Sequence, residues 1–178
     1  MGMGRGGSDM TDPLTNCHRF TLARSWMGTG GHIVWVMLNP STADEFTDDP
    51  TIRKCVGFSK RWGFSRLTVV NLFGFRATDP ADLKKLAKTD LARAIGRNNH
   101  PIIEATSSAD LVVAAWGTHG GLHKRDREVC EFVIPNVDLY CISLTKDGFP
   151  SHPCMHAYTD APVMWRKAVS MSEIAVEA

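Results

Sequence analysis

The run Ile33-Val34-Trp35-Val36-Met37-Leu38 lies between Gly30-Gly31 and Asn39-Pro40. Consecutive apolar residues of β-branched and aromatic type, bounded by turn formers, define a strand with no polar face. Such a strand is covered on both sides, as in a parallel sheet packed between helices. The flanking sequence repeats the alternation. Thr51 to Trp62 puts Ile52, Cys55, Val56, Ser59 and Trp62 on one helical face, with Pro50 at the helix start and Asp48 and Asp49 near its positive end. Leu67 to Phe73 is a second continuous run of buried type, and Thr78-Asp79-Pro80 opens a helix over Ala81 to Ile95 with Leu83, Leu86, Ala87, Leu91 and Ala94 at helical spacing. Arg19 to Arg24, Leu111 to Trp116 and Val137 to Ser143 read as further strands. Leu122 to Ile134 and Ala161 to Val169 read as helices. The expected fold class is α/β, a three-layer α/β/α sandwich around a short, mainly parallel sheet.

The chain has 178 residues, a length that favours one domain. We expect residues 1–15, rich in Gly, Ser, Asp and Met, to form a disordered tail and residues 16–172 a single α/β domain. Apolar residues at 43% and charged residues at 22% exclude wholesale disorder, collagen and coiled coil. No apolar run approaches the roughly 20 residues of a membrane span, and the N-terminus lacks the apolar stretch of a secretory signal. The expectation is a cytoplasmic protein with no membrane partner. With 20 Lys and Arg against 19 Asp and Glu, a chain-wide basic coat is excluded, so any nucleic-acid contact needs a local patch. The five cysteines include no C-x-x-C pair, which argues for reduced thiols over a zinc ribbon or redox dithiol. Cys141 reads as core, while Cys154 reads either as core or as lining a site.

In open sheets of this kind, ligands bind beyond the carboxyl ends of the strands. Four polar clusters fall there: Asn39-Pro40-Ser41-Thr42 with Asp44, Asn71-Leu72-Phe73 with Arg76 and Asp79, Trp116-Gly117-Thr118-His119-Gly120, and Thr145-Lys146 leading to Ser151-His152-Pro153. Each also has a plain reading as caps and turns. Asn71, inside an apolar run, needs partners for its amide, and either local turn bonding or a ligand with a carbonyl and an N–H would supply them. Trp116 is a core residue or a pocket wall, and Gly117 beside it permits close approach of a backbone or ligand. His119 and His152 are acid, base or anion-stabilising candidates, because imidazole titrates near neutrality. His152 is favoured because Pro153 stiffens its loop. Asp48 and Asp49 fit the helix dipole, which leaves Asp44 as the carboxylate of interest. Arg53, Lys54, Lys60, Arg61 and Arg66 form a run without an acidic residue, either a solvated helix face or a phosphate track. The histidines have no accompanying ligand pattern, so no metal and no cofactor are expected.

These segments resemble a bacterial and archaeal family known as domain of unknown function 1643. The resemblance is carried by Arg19-Phe20 with Leu22, Arg24 and Trp26, Met37-Leu38-Asn39-Pro40-Ser41-Thr42-Ala43-Asp44, and Asp48-Asp49-Pro50-Thr51-Ile52-Arg53. It continues in Val70-Asn71-Leu72-Phe73, Arg76-Ala77-Thr78-Asp79-Pro80, Ala115-Trp116-Gly117 and His152-Pro153, so that it spans about residues 18–160. That family in turn resembles a distant branch of the uracil-DNA glycosylase superfamily. Leu38-Asn39-Pro40 is similar to a first motif whose Asn positions the attacking water. Val69-Val70-Asn71 is similar to the strand whose Asn reads the base edge, Ala115-Trp116-Gly117 to a strand end, and His152-Pro153 to a motif whose His stabilises the leaving base. The sequence departs from the pattern at Met37, where a glycine is expected, and at Cys154-Met155, which replace Ser-Pro.

The resemblance implies a nucleobase-directed N-glycosidase acting on DNA or a nucleotide. Catalysis would fall to Asn39, His152 and Asp44, and substrate binding to Asn71, Phe73, Ser41, Trp116 and Gly117. Arg53, Lys54, Lys60 and Arg61 would meet nucleic acid, with a nucleobase, nucleotide or DNA as partner. A noncatalytic nucleotide or nucleic-acid binding module with the same pocket, and an unrelated hydrolase on the same fold, are the competing readings, because fold does not fix function.

Overall fold

A computed structural model describes residues 9–11, 17–41, 43 and 47–169. Its centre is β3, His32–Met37, every residue of which is buried. β3 pairs in parallel with β4, Arg66–Asn71, on one side and with β5, Leu111–Ala114, on the other. β5 pairs in parallel with β6, Leu139–Cys141. Both flanks are antiparallel: β2, Arg19–Ser25, runs against β4, β1, Asp9–Thr11, runs against β2, and β7, Val163–Arg166, runs against β6. The order is β1-β2-β4-β3-β5-β6-β7. The chain is therefore a mixed α/β protein, with the expected parallel arrangement confined to the four central strands. Flanking strands need no cover on both faces and accept the antiparallel direction, and β7 leaves Val163 and Met164 exposed.

β7 corrects the helix expected over Ala161 to Val169. Val163 and Trp165 suit a strand, and the free edge of β6 offers its backbone groups for pairing, which outweighs the local helical spacing. The helix expected over Ala81 to Ile95 is two helices, α2, Pro80–Thr89, and α3, Leu91–Ile95. Asp90 separates them by ending the first and capping the second, accepting from Arg93 N at 2.9 Å. α4, Asn99–Ser107, was not expected from the sequence, and Leu122 to Ile134 divides into a 3-10 segment, the short α5, Arg125–Glu128, and a π turn. Of the segment read as a tail, Asp9–Thr11 forms β1 and the rest lies outside the described residues.

Alternation along the strands builds two cores. Ile33, Trp35, Met37, Leu67 and Val69 face α1, Pro50–Arg61, which presents Ile52, Cys55 and Phe58. Val34, Val36, Val70 and Val112 face the side that holds Leu83, Ala94, Ile102 and Val129. In the first core the Trp35 indole N–H donates to Ser59 Oγ at 3.0 Å, and Trp62 stacks on Trp35 with centroids 5.5 Å apart. Packing on both faces fixes where β3, β4 and β5 end, and those ends carry the polar clusters.

Candidate functional site

A cavity of about 340 Å³ opens beyond the carboxyl ends of β3, β4 and β5. Asn39 and Ser41 line it from the β3 end, Asn71 from β4, Trp116, Gly117 and His119 from the β5 end, and His152 from a distant loop. The volume suits a small heteroaromatic ligand. Arg19, Asp49 and Thr51, which the sequence did not mark for the site, line it as well.

Asn71 occupies the last position of β4 and is 2% exposed. Its backbone carbonyl accepts from the buried Asn98 side chain, while its own amide makes no hydrogen bond with any described residue. A primary amide with two donors and an acceptor is thus buried against the cavity with its capacity unused. Behind it, the buried Arg125 guanidinium donates through Nε to the Leu72 carbonyl at 2.8 Å, and Nη2 donates to Asn99 Oδ1 at 2.5 Å. Asn98 and Arg125 therefore fix the backbone on which Asn71 is mounted.

Asn39 is tied differently. Its Nδ2 donates to the Ala77 carbonyl at 2.7 Å and to the Pro40 carbonyl at 3.0 Å. Both amide hydrogens are engaged, so Oδ1, an acceptor, is what Asn39 offers. Asp49 caps α1, with Oδ1 accepting from Ile52 N at 2.8 Å and Oδ2 from the Ser41 hydroxyl. A cap, a strand-end serine and a carboxylate on the cavity wall are one structure. The adjacent Asp48 pairs with Arg24 Nε at 2.8 Å.

His152 caps the 3-10 turn Pro153–Met155, its Nδ1 accepting from Cys154 N at 3.3 Å. An accepting Nδ1 puts the proton of the neutral ring on Nε2. Burial holds the His152 imidazole below its ordinary range, with Asp49 acting weakly in the opposite sense. His119 is lowered too, by burial and then by Lys84. The site thus presents neutral imidazoles at pH 7. Gly117 takes φ +71°, a conformation glycine favours, and its N–H donates to the Pro150 carbonyl at 2.8 Å, joining the β5 end to the His152 loop.

Other expected residues lie elsewhere. Phe73 is fully buried in the core and does not line the cavity, since its strand-end position turns it toward the helical side. Asp44 and Thr42 lie outside the described residues. The basic run on α1 grips a C-terminal strap. The Lys54 ammonium is 4.3 Å and the Arg61 guanidinium 4.1 Å from the Tyr158 ring centroid, and Lys54 Nζ also donates to the His156 carbonyl at 2.6 Å. Lys60 lies 5.2 Å from the Trp26 ring, and Arg53 donates to the Asp48 carbonyl at 2.6 Å. Cys154 is exposed, and Cys55, Cys130 and Cys141 are buried, burial pushing the Cys130 thiol up to about 11. Among the described residues no three His, Cys, Asp or Glu side chains gather as a metal site, and no helix is long and apolar enough to cross a membrane.

The fold and site define a mixed α/β protein with a largely apolar cavity, set with a few polar side chains, beyond the carboxyl ends of its parallel strands. The chain belongs to the family described as Protein of unknown function (DUF1643), whose model matches residues 19–154. Comparison with curated proteins and with solved structures returns no match.

Proposed function

We propose that the cavity holds a nucleobase and that the protein hydrolyses its N-glycosidic bond, in the manner of the uracil-DNA glycosylase superfamily. The observation that carries this reading is Asn71, a buried residue on the cavity wall whose side-chain amide makes no hydrogen bond to any described residue. A pyrimidine or purine edge with a carbonyl beside an N–H satisfies both ends of such an amide, and an apolar ligand satisfies neither.

The remaining groups supply the reaction. Asn39 Oδ1 accepts a hydrogen bond from water, and Asp49 takes the proton of that water as its oxygen bonds to the sugar carbon. We give the carboxylate role to Asp49, which lines the cavity, because Asp44, the sequence candidate, lies outside the described residues. The bond to the base breaks with its electron pair, and the departing anion receives a hydrogen bond from His152 Nε2–H. A neutral donor suits this task, because it polarises the base without giving up its proton to solvent. We favour a nucleoside or nucleotide over duplex DNA as the substrate form, since Lys54, Lys60 and Arg61 lie against aromatic rings.

The test is base release from a panel of nucleosides, nucleotides and uracil- or hypoxanthine-containing oligonucleotides, followed chromatographically. Release by the wild type that falls at least about 100-fold in His152→Ala supports the reaction, in keeping with the loss of one preorganised donor. Saturable binding without release makes the protein a binding module. Absence of both rejects the reading.

A further inference from the structure

Outside the cavity, Ser151, His156 and Asp160 form a connected chain. The Ser151 hydroxyl is 2.5 Å from His156 Nε2, and His156 Nδ1 is 3.1 Å from Asp160 Oδ2. The connectivity is that of a serine nucleophile, its base and the orienting carboxylate, but the surroundings argue for another role. Ser151 is 7% exposed, and its oxygen also lies 3.1 Å from the Ser143 carbonyl and 3.0 Å from the Ser143 hydroxyl. The cavity is lined by the next residue, His152, and not by Ser151.

We propose that Ser151, His156 and Asp160 are positioning residues that clasp the His152 loop and hold its ring with Nε2–H toward the cavity. The inference rests on the role of His152 proposed above. The clasp joins residue 151 to residue 156, and between them the 3-10 turn is closed by Met155 N to the His152 carbonyl at 3.0 Å and His156 N to the Pro153 carbonyl at 3.2 Å. His152 is thus enclosed in a short ring closed by the Ser151–His156 contact, with the Ser143 hydroxyl 3.3 Å from the same His156 Nε2. The ring is moored to the segment that follows β6 by Ser151 N to the Ser143 carbonyl at 2.9 Å and to α1 by Lys54 at the His156 carbonyl.

The clasp tolerates either charge state of His156. With the ring neutral and Nδ1–H on Asp160, Ser151 donates to Nε2. With the ring protonated, Nε2–H donates to Ser151 and the serine proton turns to the Ser143 carbonyl. The charged or titratable groups that line the cavity with His152 are Arg19, Asp49 and His119.

The experiment uses full-length protein with ¹⁵N-labelled histidine and reads the His152 ring by NMR, without ligand or turnover. The wild type should show one tautomer, protonated at Nε2, with a midpoint below 6.5. Ser151→Ala, His156→Phe and Asp160→Ala should mix the tautomers and raise the midpoint toward 6.5, the ordinary value. Asp160→Asn, which keeps an acceptor for Nδ1–H, should restore the wild-type signals. Asp160 is 40% exposed, so its alanine variant creates no buried hole and decides the matter if the others fail to fold. An unchanged His152 tautomer and midpoint in folded Asp160→Ala overturns the proposal. Lack of base release by wild-type protein with the expected ring signals rejects the glycosidase reading and leaves the clasp standing.

Discussion

Asn39 Nδ2 donates to the Ala77 carbonyl at 2.7 Å, which fastens the end of β3 to the segment leading into α2. The bond closes one wall of the cavity and decides what Asn39 can do: its donors face backbone oxygens, and only its carbonyl is available.

It follows that Asn39→Asp is destabilising rather than activating. A carboxylate there meets the Pro40 and Ala77 carbonyls with no hydrogen to offer, and the loss should be about 1–3 kcal/mol in urea unfolding. Asn39→Ala should cost less, because it removes the amide without adding a charge. A carboxylate variant as stable as wild type would show that these bonds do not hold the wall.

Asp49 should separate into two functions. Asp49→Ala removes the α1 cap and should cost about 1 kcal/mol, whereas Asp49→Asn keeps a capping oxygen and should recover most of that stability. Base release should be lost in both, since neither supplies a carboxylate. Urea midpoints paired with the release assay make the comparison, and an active Asp49→Asn protein would remove Asp49 from the chemistry.

Stability should decline on mild acidification. Burial holds His32 and His152 below the ordinary imidazole range. The unfolded chain takes up these protons near about 6.5 and the folded protein only at lower pH, so the unfolded state binds more protons within that interval. Stability is therefore full above about 6.5, falls as pH drops below it, and levels off once the folded histidines are also protonated. Replacing His152 by Gln should shallow the decline. Thermal midpoints between pH 7.5 and 5 that show no such decline would contradict the assignment.

Phe73 distinguishes core from site. Phe73→Ala should cost about 3–5 kcal/mol, the range for truncating a buried aromatic side chain, while Phe73→Leu should bind ligand as the wild type does. A folded Phe73→Leu protein that loses ligand affinity would return Phe73 to the binding surface.

The central strands were legible because Ile33 to Leu38 is apolar throughout and Leu67 to Phe73 is apolar but for Thr68 and Asn71, and burial on both faces explains such runs. The flanks were not. The Val163–Arg166 run follows a proline and carries a helix-compatible pattern, and it becomes a strand because β6 has an edge to pair. The Asp90 cap inside one helical stretch looks from sequence like an exposed polar residue. The strand-end rule did pick out Asn39, Asn71, Gly117 and His152, which line one cavity. It missed Asp49, because a cap explains that residue fully until the Ser41 contact and the cavity wall are seen together. It also missed Ser151 with His156 and Asp160: the five-residue step from Ser151 to His156 fits no regular element and acquires meaning only when the 3-10 turn brings the two into contact, with Asp160 four residues further on.

The central claim, that the Asn71 amide receives a nucleobase edge, is tested most directly by following the Asn71 side-chain NH₂ resonances by NMR during titration with free bases and nucleosides. The account predicts a saturable downfield shift of these protons with at least one ligand bearing adjacent carbonyl and N–H groups, and loss of that binding in Asn71→Ala. Resonances unmoved by every base and nucleoside, or binding that persists unchanged without the amide, would contradict it.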